Sequence, residues 1–150
     1  MNGAFFFMRV CNHSSALRMR DQQGELMTGY KLAIMEKTSP DIVQSVKDLA
    51  RIGPPATEYL VLALNDEDKR VKIAAAKALG DIGDRRCVDS LVMTLGDHDK
   101  DIRFASAIAL GRVGDQRAVG PLIKTCMDEN CFVRIAAREA LARVYENVRT

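Results

Sequence analysis

Several residue types are rare in this chain, and their rarity limits the kinds of site that the chain can form. Its 150 residues include no tryptophan and only two histidines, His13 and His98. A metal site needs several converging histidine, cysteine or carboxylate ligands, so none is predicted. The four cysteines have no Cys-x-x-Cys spacing, which favours a reducing compartment, the cytoplasm; they are Cys11, Cys87, Cys126 and Cys131.

Long apolar runs and a strong excess of one charge are also missing. No apolar run approaches the roughly 18 residues of a membrane-spanning helix. The segment Ala4–Met8 is shorter than the about 7 to 15 apolar residues of a secretion signal. Lysine and arginine total 22 against 20 acidic residues, a formal net charge of +2, so no strong attraction to nucleic acid or to a membrane is expected.

Catalytic motifs are absent as well. There is no Gly-x-Ser-x-Gly elbow and no glycine-rich phosphate loop, and neither histidine lies in a context that suggests a general base. No catalytic residue and no cofactor are therefore predicted. Helix ends and close helix packing account for the glycines of the central region, which are Gly80, Gly83, Gly111 and Gly114.

What the chain does have is an internal repeat. The segment Val71–Gly80 (VKIAAAKALG) returns 31 residues later as Ile102–Gly111 (IRFASAIALG). It returns after another 31 residues as Val133–Ala142 (VRIAAREALA). A fixed period of this length is typical of one supersecondary unit that is copied and stacked. The sequence therefore predicts an all-α solenoid, whose usual role is to present a binding surface.

Each unit is predicted to contain two helices, named here the first and the second helix. In the first helix of the central unit, apolar residues from Val71 to Ile82 recur at spacings of three and four, which places them on one side. Gly83–Arg86 and Gly114–Arg117 interrupt the pattern, with glycine ending one helix and aspartate able to cap the next. The second helices are predicted around 59–64, 88–95 and 119–126.

The repeat domain is predicted to span residues 23–150, after a disordered leader at 1–22. A triple phenylalanine in the leader has the alternative interpretation of a segment that docks on a partner. The predicted units are about 39–67, 68–98, 99–129 and 130–150, with a degenerate second helix at 25–37.

These motifs resemble the HEAT-like repeat family, particularly the short repeats of bilin lyases, over residues 39–146. The resemblance is carried by Val71–Ala76, Ala78–Gly80, Arg117–Leu122 and Val133–Ala137. It implies a right-handed α-solenoid (an α–α superhelix) of about three to four helical hairpins, with the second helices lining the concave face. Deoxyhypusine hydroxylases of this class hold iron through His-Glu pairs, and this chain has no His-Glu dipeptide, so that activity is not expected.

The outward positions of the second helices form the predicted binding surface. They carry few charges and several apolar side chains, a mixture suited to gripping a protein segment. We predict a non-catalytic protein-interaction module or small scaffold that binds a partner of unknown identity on its concave face. The alternative is that Leu62 and Met93 face the core. The candidate binding residues are Tyr59, Leu62, Met93, Lys124 and Met127.

A second periodic set pairs an aspartate with a basic residue six positions later. The favoured interpretation is structural: each aspartate caps the following first helix, and the cations pair with acidic neighbours along the stack. The alternative is a basic track for an anion or a nucleic acid. This Asp/basic ladder consists of Asp66 with Lys72, Asp97 with Arg103, and Asp128 with Arg134.

Two further functions stay open, together with the oligomeric state. The resemblance implies a possible subunit or chaperone of a bilin-lyase-like enzyme. A nucleic-acid-binding solenoid is less favoured, because few cations project from the second helices and each has acidic neighbours. In the last unit, Arg138 replaces Ala76 and Ala107, as expected for the capped end of a stack, although a homodimer through that end is also possible.

Overall fold

The computed structural model of the chain describes residues 19–20, 26–27 and 42–149. Within residues 42–149 the chain forms seven α-helices. They are α1 (Ile42–Ile52), α2 (Thr57–Ala63), α3 (Lys69–Ile82), α4 (Val88–Thr94), α5 (Lys100–Val113), α6 (Val119–Thr125) and α7 (Cys131–Arg149). Separately, β1 (Met19–Arg20) and β2 (Leu26–Met27) form a short antiparallel pair.

The first helices α3 and α5 begin and end at residues that the chemistry of helix termini favours. Asp68 and Asp99 cap their N-termini by accepting a hydrogen bond from the backbone N–H two residues later. Both helices end at a glycine in the left-handed conformation, Gly83 with φ 70° and Gly114 with φ 66°. The glycine ends predicted from the repeat are confirmed.

Each second helix begins with a single turn of 3₁₀-helix. Asp84 and Asp115 cap these turns by accepting from the backbone N–H of Arg86 and Arg117, which confirms the predicted role of aspartate after the glycine. In the first described unit, the corresponding turn is Pro54–Ala56. Proline is tolerated there because the first N–H groups of a helix have no partner within the helix.

The helices form two layers. Successive first helices pack on one another, α1 on α3, α3 on α5 and α5 on α7, and each second helix packs against the first helix that follows it. A Cβ atom on Gly80 would lie 2.8 Å from Cα of Ala109, and one on Gly111 would lie 2.7 Å from Cα of Ala140. Glycine at these positions therefore lets the backbones approach closely, as predicted.

A continuous apolar core fills the space between the layers. Its largest fully buried side chains include Leu49, Leu60, Leu64, Leu79, Leu91, Leu110 and Leu122. Because the same register positions are buried in successive units, the predicted α-solenoid of HEAT-like hairpins is confirmed for residues 42–149. The apolar period read from the sequence corresponds to the side chains that meet between the layers.

The upstream predictions lie mostly outside the described residues. The leader at 1–22 is described only at Met19–Arg20, and the helix at 25–37 only at Leu26–Met27, and both of these short segments are extended. For their other residues, both stay predictions. No helix within the described part of the chain is long and apolar enough to cross a membrane.

Candidate functional site

The candidate binding residues lie on the second helices, and most of them face away from the core. Leu62 on α2 is 52% exposed, and Met93 on α4 is 79% exposed. Met127, just after α6, is 85% exposed, and Lys124 on α6 is also exposed. Tyr59 differs, because it is half-buried and packs against the core. The alternative that Leu62 and Met93 face the core is wrong.

One further apolar side chain on this surface was not predicted. Ile123 on α6 is 52% exposed. It aligns with Val61 and Val92, which are half-buried and pack against the core, so the repeat pattern gave no reason to expect its exposure. We name the exposed surface of the second helices the second-helix face; its residues are Tyr59, Leu62, Met93, Ile123, Lys124 and Met127.

An open groove of about 600 Å³ runs between α4 and α6 on this face. Two glycines, Gly96 and Gly120, leave space there, and a Cβ atom on Gly120 would meet nothing within 4 Å. One unit earlier, the same register positions hold Asn65 and Asp89. The remaining groove residues are Val92, Leu95, Pro121, Lys124 and Thr125.

The Asp/basic ladder runs along the stack, from each unit to the next. Nζ of Lys72 donates to the Asp97 carboxylate at 2.8 Å, and Nε of Arg103 donates to the Asp128 carboxylate at 2.8 Å. A second bond, of 3.1 Å, joins Nη2 of Arg103 to Oδ1 of Asp128. Arg103 and Asp128 are almost fully buried, whereas the Lys72 side chain is more exposed.

Burial and hydrogen bonding act on the ladder aspartates in opposite directions. Burial alone would raise the pKa of Asp128, but hydrogen bonds from Arg103 and from the backbone N–H of Asn130 outweigh it and lower that pKa. The pKa of Asp97 is lowered in the same way by Lys72 and by the N–H of Asp99. Both carboxylates are therefore ionised at neutral pH, and Lys72 and Arg103 each pair with a negative charge.

The capping role predicted for the ladder aspartates belongs to other residues. Asp66, Asp97 and Asp128 accept a hydrogen bond from the backbone N–H two residues later, within the loop that precedes each first helix. The helix caps are the residues at those N–H groups, namely Asp68, Asp99 and Asn130. Each loop thus contains two successive turns closed by side-chain oxygens, and the second of them starts the helix.

A second set of contacts joins the units at the opposite ends of the helices. Nη2 of Arg86 donates to the carbonyl oxygen of Pro54 at 3.0 Å, and Nη2 of Arg117 donates to that of Arg85 at 2.7 Å. The Thr57 hydroxyl donates to Asp84 at 2.8 Å. The sequence signal for these contacts is the Asp-x-Arg spacing in two successive turns, which our sequence analysis did not use.

Reactive groups do not converge on the second-helix face. Within the described residues, no three histidine, cysteine or acidic side chains lie close enough to hold a metal ion. The thiol of Cys87 is buried, and burial followed by the charge of Asp84 raises its pKa to about 11. Cys131, by contrast, is exposed.

Several solved structures share this fold, and each of those proteins is longer than this chain. Human deoxyhypusine hydroxylase, in complex with glycerol, is similar with a TM-score of 0.72 and 22% identity, over 80% of this chain and 43% of that one. The complex of CpcE and CpcF of phycocyanin lyase from Nostoc sp. PCC7120 gives 0.63 and 25%, over 87% and 58%. An engineered protein gives 0.54 and 23%, over 79% and 63%. The chain spans about half the length of these structures.

The sequence profile of HEAT repeats matches the chain twice, over residues 42–104 and 57–142. No curated protein matches it in sequence. The likeness to the lyase complex agrees with the predicted resemblance to the short repeats of bilin lyases, and the two profile matches span the stacked units between α1 and α7. The chain belongs to the HEAT-repeat family.

Proposed function

We propose that the chain is a non-catalytic protein-interaction module, a small scaffold or adaptor, that binds a segment of a partner protein on the second-helix face. The observation that supports this proposal is the row of exposed apolar side chains on successive second helices. Single exposed apolar residues are common on protein surfaces, but a row that includes Leu62, Met93 and Met127 beside a groove is typical of an interaction site.

The groove between α4 and α6 gives the partner a place to insert a side chain. Its floor is formed by Val92 and Leu95, and Lys124 supplies a charged edge. Methionine is flexible and polarizable, so Met93 and Met127, which are exposed outside the lining of the groove, can adapt to the rest of the bound segment. The partner segment is therefore expected to carry a large apolar residue flanked by polar or acidic ones.

The remaining features of the chain support a binding role without chemistry. The groove is lined by apolar residues, glycines, Thr125 and Lys124, a set with no nucleophile paired to a base. The cysteines described as free thiols, Cys87, Cys126 and Cys131, suit a reducing compartment, and we propose the cytoplasm.

Filling the groove is the most direct test of this function. The Gly120→Gln change places a side chain in open space on α6, where the backbone is not in the left-handed conformation. The free energy of unfolding should change by about 1 kcal/mol or less, because the gain in helix propensity on replacing glycine is opposed by Pro121, which disfavours the helical conformation in the residue before it. The matched control is Glu58→Gln, which introduces the same residue at the same register position of α2, away from the groove.

Affinity capture from a lysate of the source organism would compare the native chain with these two variants. A protein that is retained by the native chain and by Glu58→Gln, but lost with Gly120→Gln, would support the proposal and identify the partner. Equal recovery by all three proteins would reject the groove as the binding site. Recovery of only nucleic acid or pigment would reject the scaffold role.

A second candidate is a subunit or chaperone of a bilin-lyase-like enzyme, favoured by the likeness to the phycocyanin lyase complex over most of this chain. Adding a tetrapyrrole to the purified protein and recording its visible absorbance would test it. A nucleic-acid track has less support, because the ladder cations Lys72 and Arg103 are already paired with carboxylates.

A further inference from the structure

The outward side of the first helices carries a groove between α1 and α3. Its volume is about 520 Å³, and its floor is apolar. Four of the floor side chains are half-buried and pack against the core, and the fifth is buried. The groove therefore presents ordered apolar surface to solvent. The floor residues are Val43, Ala50, Ile73, Ala74 and Ala78.

A single register position explains why the groove opens between these two helices. Ala50 stands where α3 has Gly80 and α5 has Gly111. A Cβ atom on Gly80 would lie 2.8 Å from Cα of Ala109, which is too close for an ordinary contact. Ala50 has that Cβ atom, and Ala78 is the residue of α3 that aligns with Ala109. The backbone of α1 therefore cannot approach α3 as closely as α3 approaches α5.

The edges of the groove are mostly basic. One edge residue is acidic, but the carboxylate of Asp81 already accepts a hydrogen bond from Arg112 of α5. Two of the three cations, Lys47 and Lys77, are exposed, and within residues 42–149 neither takes part in an ion pair. We name the floor and edge residues together the α1–α3 groove; its edge residues are Lys47, Arg70, Lys77 and Asp81.

Unpaired positive charge beside an exposed apolar floor determines the chemistry of a suitable ligand. Apolar side chains fit the floor, and carboxylates are complementary to Lys47 and Lys77. One unit later, Asp101 and Ile108 stand at the positions of Arg70 and Lys77, so the next pair of first helices does not repeat the basic edge. The ligand is therefore expected to be apolar on one side and acidic along the borders of that side.

A helix meets these requirements better than an extended segment does. Both walls of the groove are helices, whose backbone groups are bonded within the helix, so no strand edge is available for pairing. An extended segment would place unbonded backbone groups on an apolar floor, whereas a helix bonds its own backbone. The edge from Arg70 to Asp81 is about 16 Å long at 1.5 Å per residue, which corresponds to about three helical turns.

We propose that the α1–α3 groove binds an amphipathic helix of a partner protein, about three turns long, with large apolar residues towards the floor and acidic residues along both borders. The acidic residues pair with Lys47 on α1 and with Lys77 on α3. This site lies on the first helices and does not rest on the second-helix face, so either surface can bind without the other.

Three other occupants fit the groove less well. A membrane surface takes up apolar side chains that project from a protein, whereas this floor lies below the charged edges of a groove. A nucleic acid needs a longer row of unpaired cations than Lys47 and Lys77 provide, and its phosphates gain nothing from an apolar floor. Residues 1–22 of the chain itself include three arginines and one aspartate, so they would add positive charge to a basic groove.

A synthetic helix provides the probe for this site. It is a dye-labelled, alanine-based peptide of about 20 residues, long enough to form a helix. Leucines at positions i, i+4, i+7 and i+11 form its apolar side, and glutamates flank them on both borders. One control probe replaces the leucines with alanine, and a second replaces the glutamates with glutamine. The affinity of each probe for the full chain is measured by fluorescence anisotropy.

The full chain is compared with a Lys47→Glu, Lys77→Glu variant, which reverses both exposed cations of the groove. The matched control reverses two exposed cations outside the groove, Lys100→Glu and Arg143→Glu. All of these positions are exposed on helices, and thermal melts check that both variants remain folded.

The native chain should bind the leucine–glutamate probe saturably. The groove variant should bind it about tenfold more weakly or worse, because a repulsion replaces each pair. The control variant should keep the native affinity, and so should Gly120→Gln, which alters the second-helix face. Both control probes should bind the native chain more weakly, and the glutamine probe should not distinguish the groove variant from the native chain.

Absence of binding by the leucine–glutamate probe, or an equal affinity for the probe without leucines, would overturn the proposal. An equal loss of affinity in the control variant would also overturn it, since attraction by net charge alone would then explain the binding. Binding of duplex DNA or of phosphatidylglycerol vesicles that the two groove changes abolish would assign the groove to a nucleic acid or to a membrane instead.

Discussion

The two helical layers share one repeat period but differ in helix length and in packing. The first helices α3 and α5 have 14 residues each, and their backbones approach closely through glycine and alanine. The second helices α2, α4 and α6 have seven residues each and leave a groove between α4 and α6, while apolar side chains are exposed on both layers, for example Leu62 and Met93 on the second and Phe104 and Ile135 on the first. The difference indicates that the first layer provides stability, whereas the second layer provides a surface that can vary without unfolding the stack.

Interactions between units are found in both layers, since the Arg86 and Arg117 contacts join the turns that begin successive second helices, but the closest backbone packing is in the first layer. The ladder pairs and the glycine contacts join one first helix to the next. Between α4 and α6, by contrast, the register positions that would fill the space are glycines, and a groove results. Because a short helix gains little stability on its own, α4 and α6 depend on their contacts with α5 and α7.

The largest contrast between the layers should come from shortening one leucine in each. Leu110→Ala removes a fully buried side chain from α5 and should cost about 2 to 5 kcal/mol, enough to unfold much of a marginal array. Leu62→Ala on α2 should change stability by about 0.5 kcal/mol or less, because that side chain is half in solvent. Chemical denaturation measures both, and equal losses would contradict the division between the layers.

A smaller contrast lies within the ladder itself. Arg103→Ala should cost about 3 kcal/mol, because it leaves Asp128 buried without its cation and removes two bonds to backbone carbonyl oxygens. Lys72→Ala should cost about 1 kcal/mol, since the Lys72–Asp97 pair is more exposed and has a single bond. Thermal melts of the two variants give the comparison, and a larger loss for Lys72→Ala would show that burial does not set the strength of the ladder.

The solenoid could be predicted from the sequence because its core is periodic. Leu79, Leu110 and the alanines around them occupy the same place in each unit, so a single packing solution appears in the sequence as a repeat. Glycine ends and close helix contacts were predicted for the same reason. Each of these features depends on residue size and spacing, and both can be read from the sequence.

The surface could be predicted only in part, because exposure depends on what lies opposite each position. Leu62 and Met93 were placed outward correctly, but Ile123 was missed, since its aligned valines are half-buried. The helix caps were misassigned by two residues, because Asp66 and Asp68 are both able to close a turn and only the course of the backbone distinguishes them.

A pH titration tests the contacts at the other end of the helices. Hydrogen bonds from Arg86, and a further one from the Thr57 hydroxyl, hold the pKa of Asp84 at about 2, below the value of 3.8 expected without them. A carboxylate with a lowered folded pKa stabilises the fold above its unfolded pKa, and this stabilisation is lost as the pH falls from about 4 to about 2. Its size is up to about 2 kcal/mol at neutral pH.

The change Asp84→Asn removes the titrating group and retains the shape of the side chain. Urea denaturation at several pH values should show a stability difference from the native chain that is largest at neutral pH and shrinks towards pH 2. Glu58→Gln, which alters an exposed carboxylate near Arg86, is the control and should give a small difference throughout. A difference for Asp84→Asn that is constant with pH would show that the Asp84 charge does not stabilise this turn.

The last prediction concerns the rate of thiol modification and is the smallest effect expected. It tests whether the second layer opens while the first layer stays folded. Cys87 lies at the start of the second helix of its unit, fully buried, with its pKa raised to about 11 and its Sγ donating to the carbonyl oxygen of Asp84. Cys131 is exposed at the start of α7. Because the thiolate is the reactive form, a thiol reagent at neutral pH should modify Cys131 quickly and Cys87 only when its turn opens.

In a Cys11→Ser, Cys126→Ser background, modification of Cys87 at the rate of global unfolding would mean that both layers open together. Modification much faster than unfolding, and insensitive to Leu110→Ala, would show that the second layer moves on its own, as a surface that adapts to partners should.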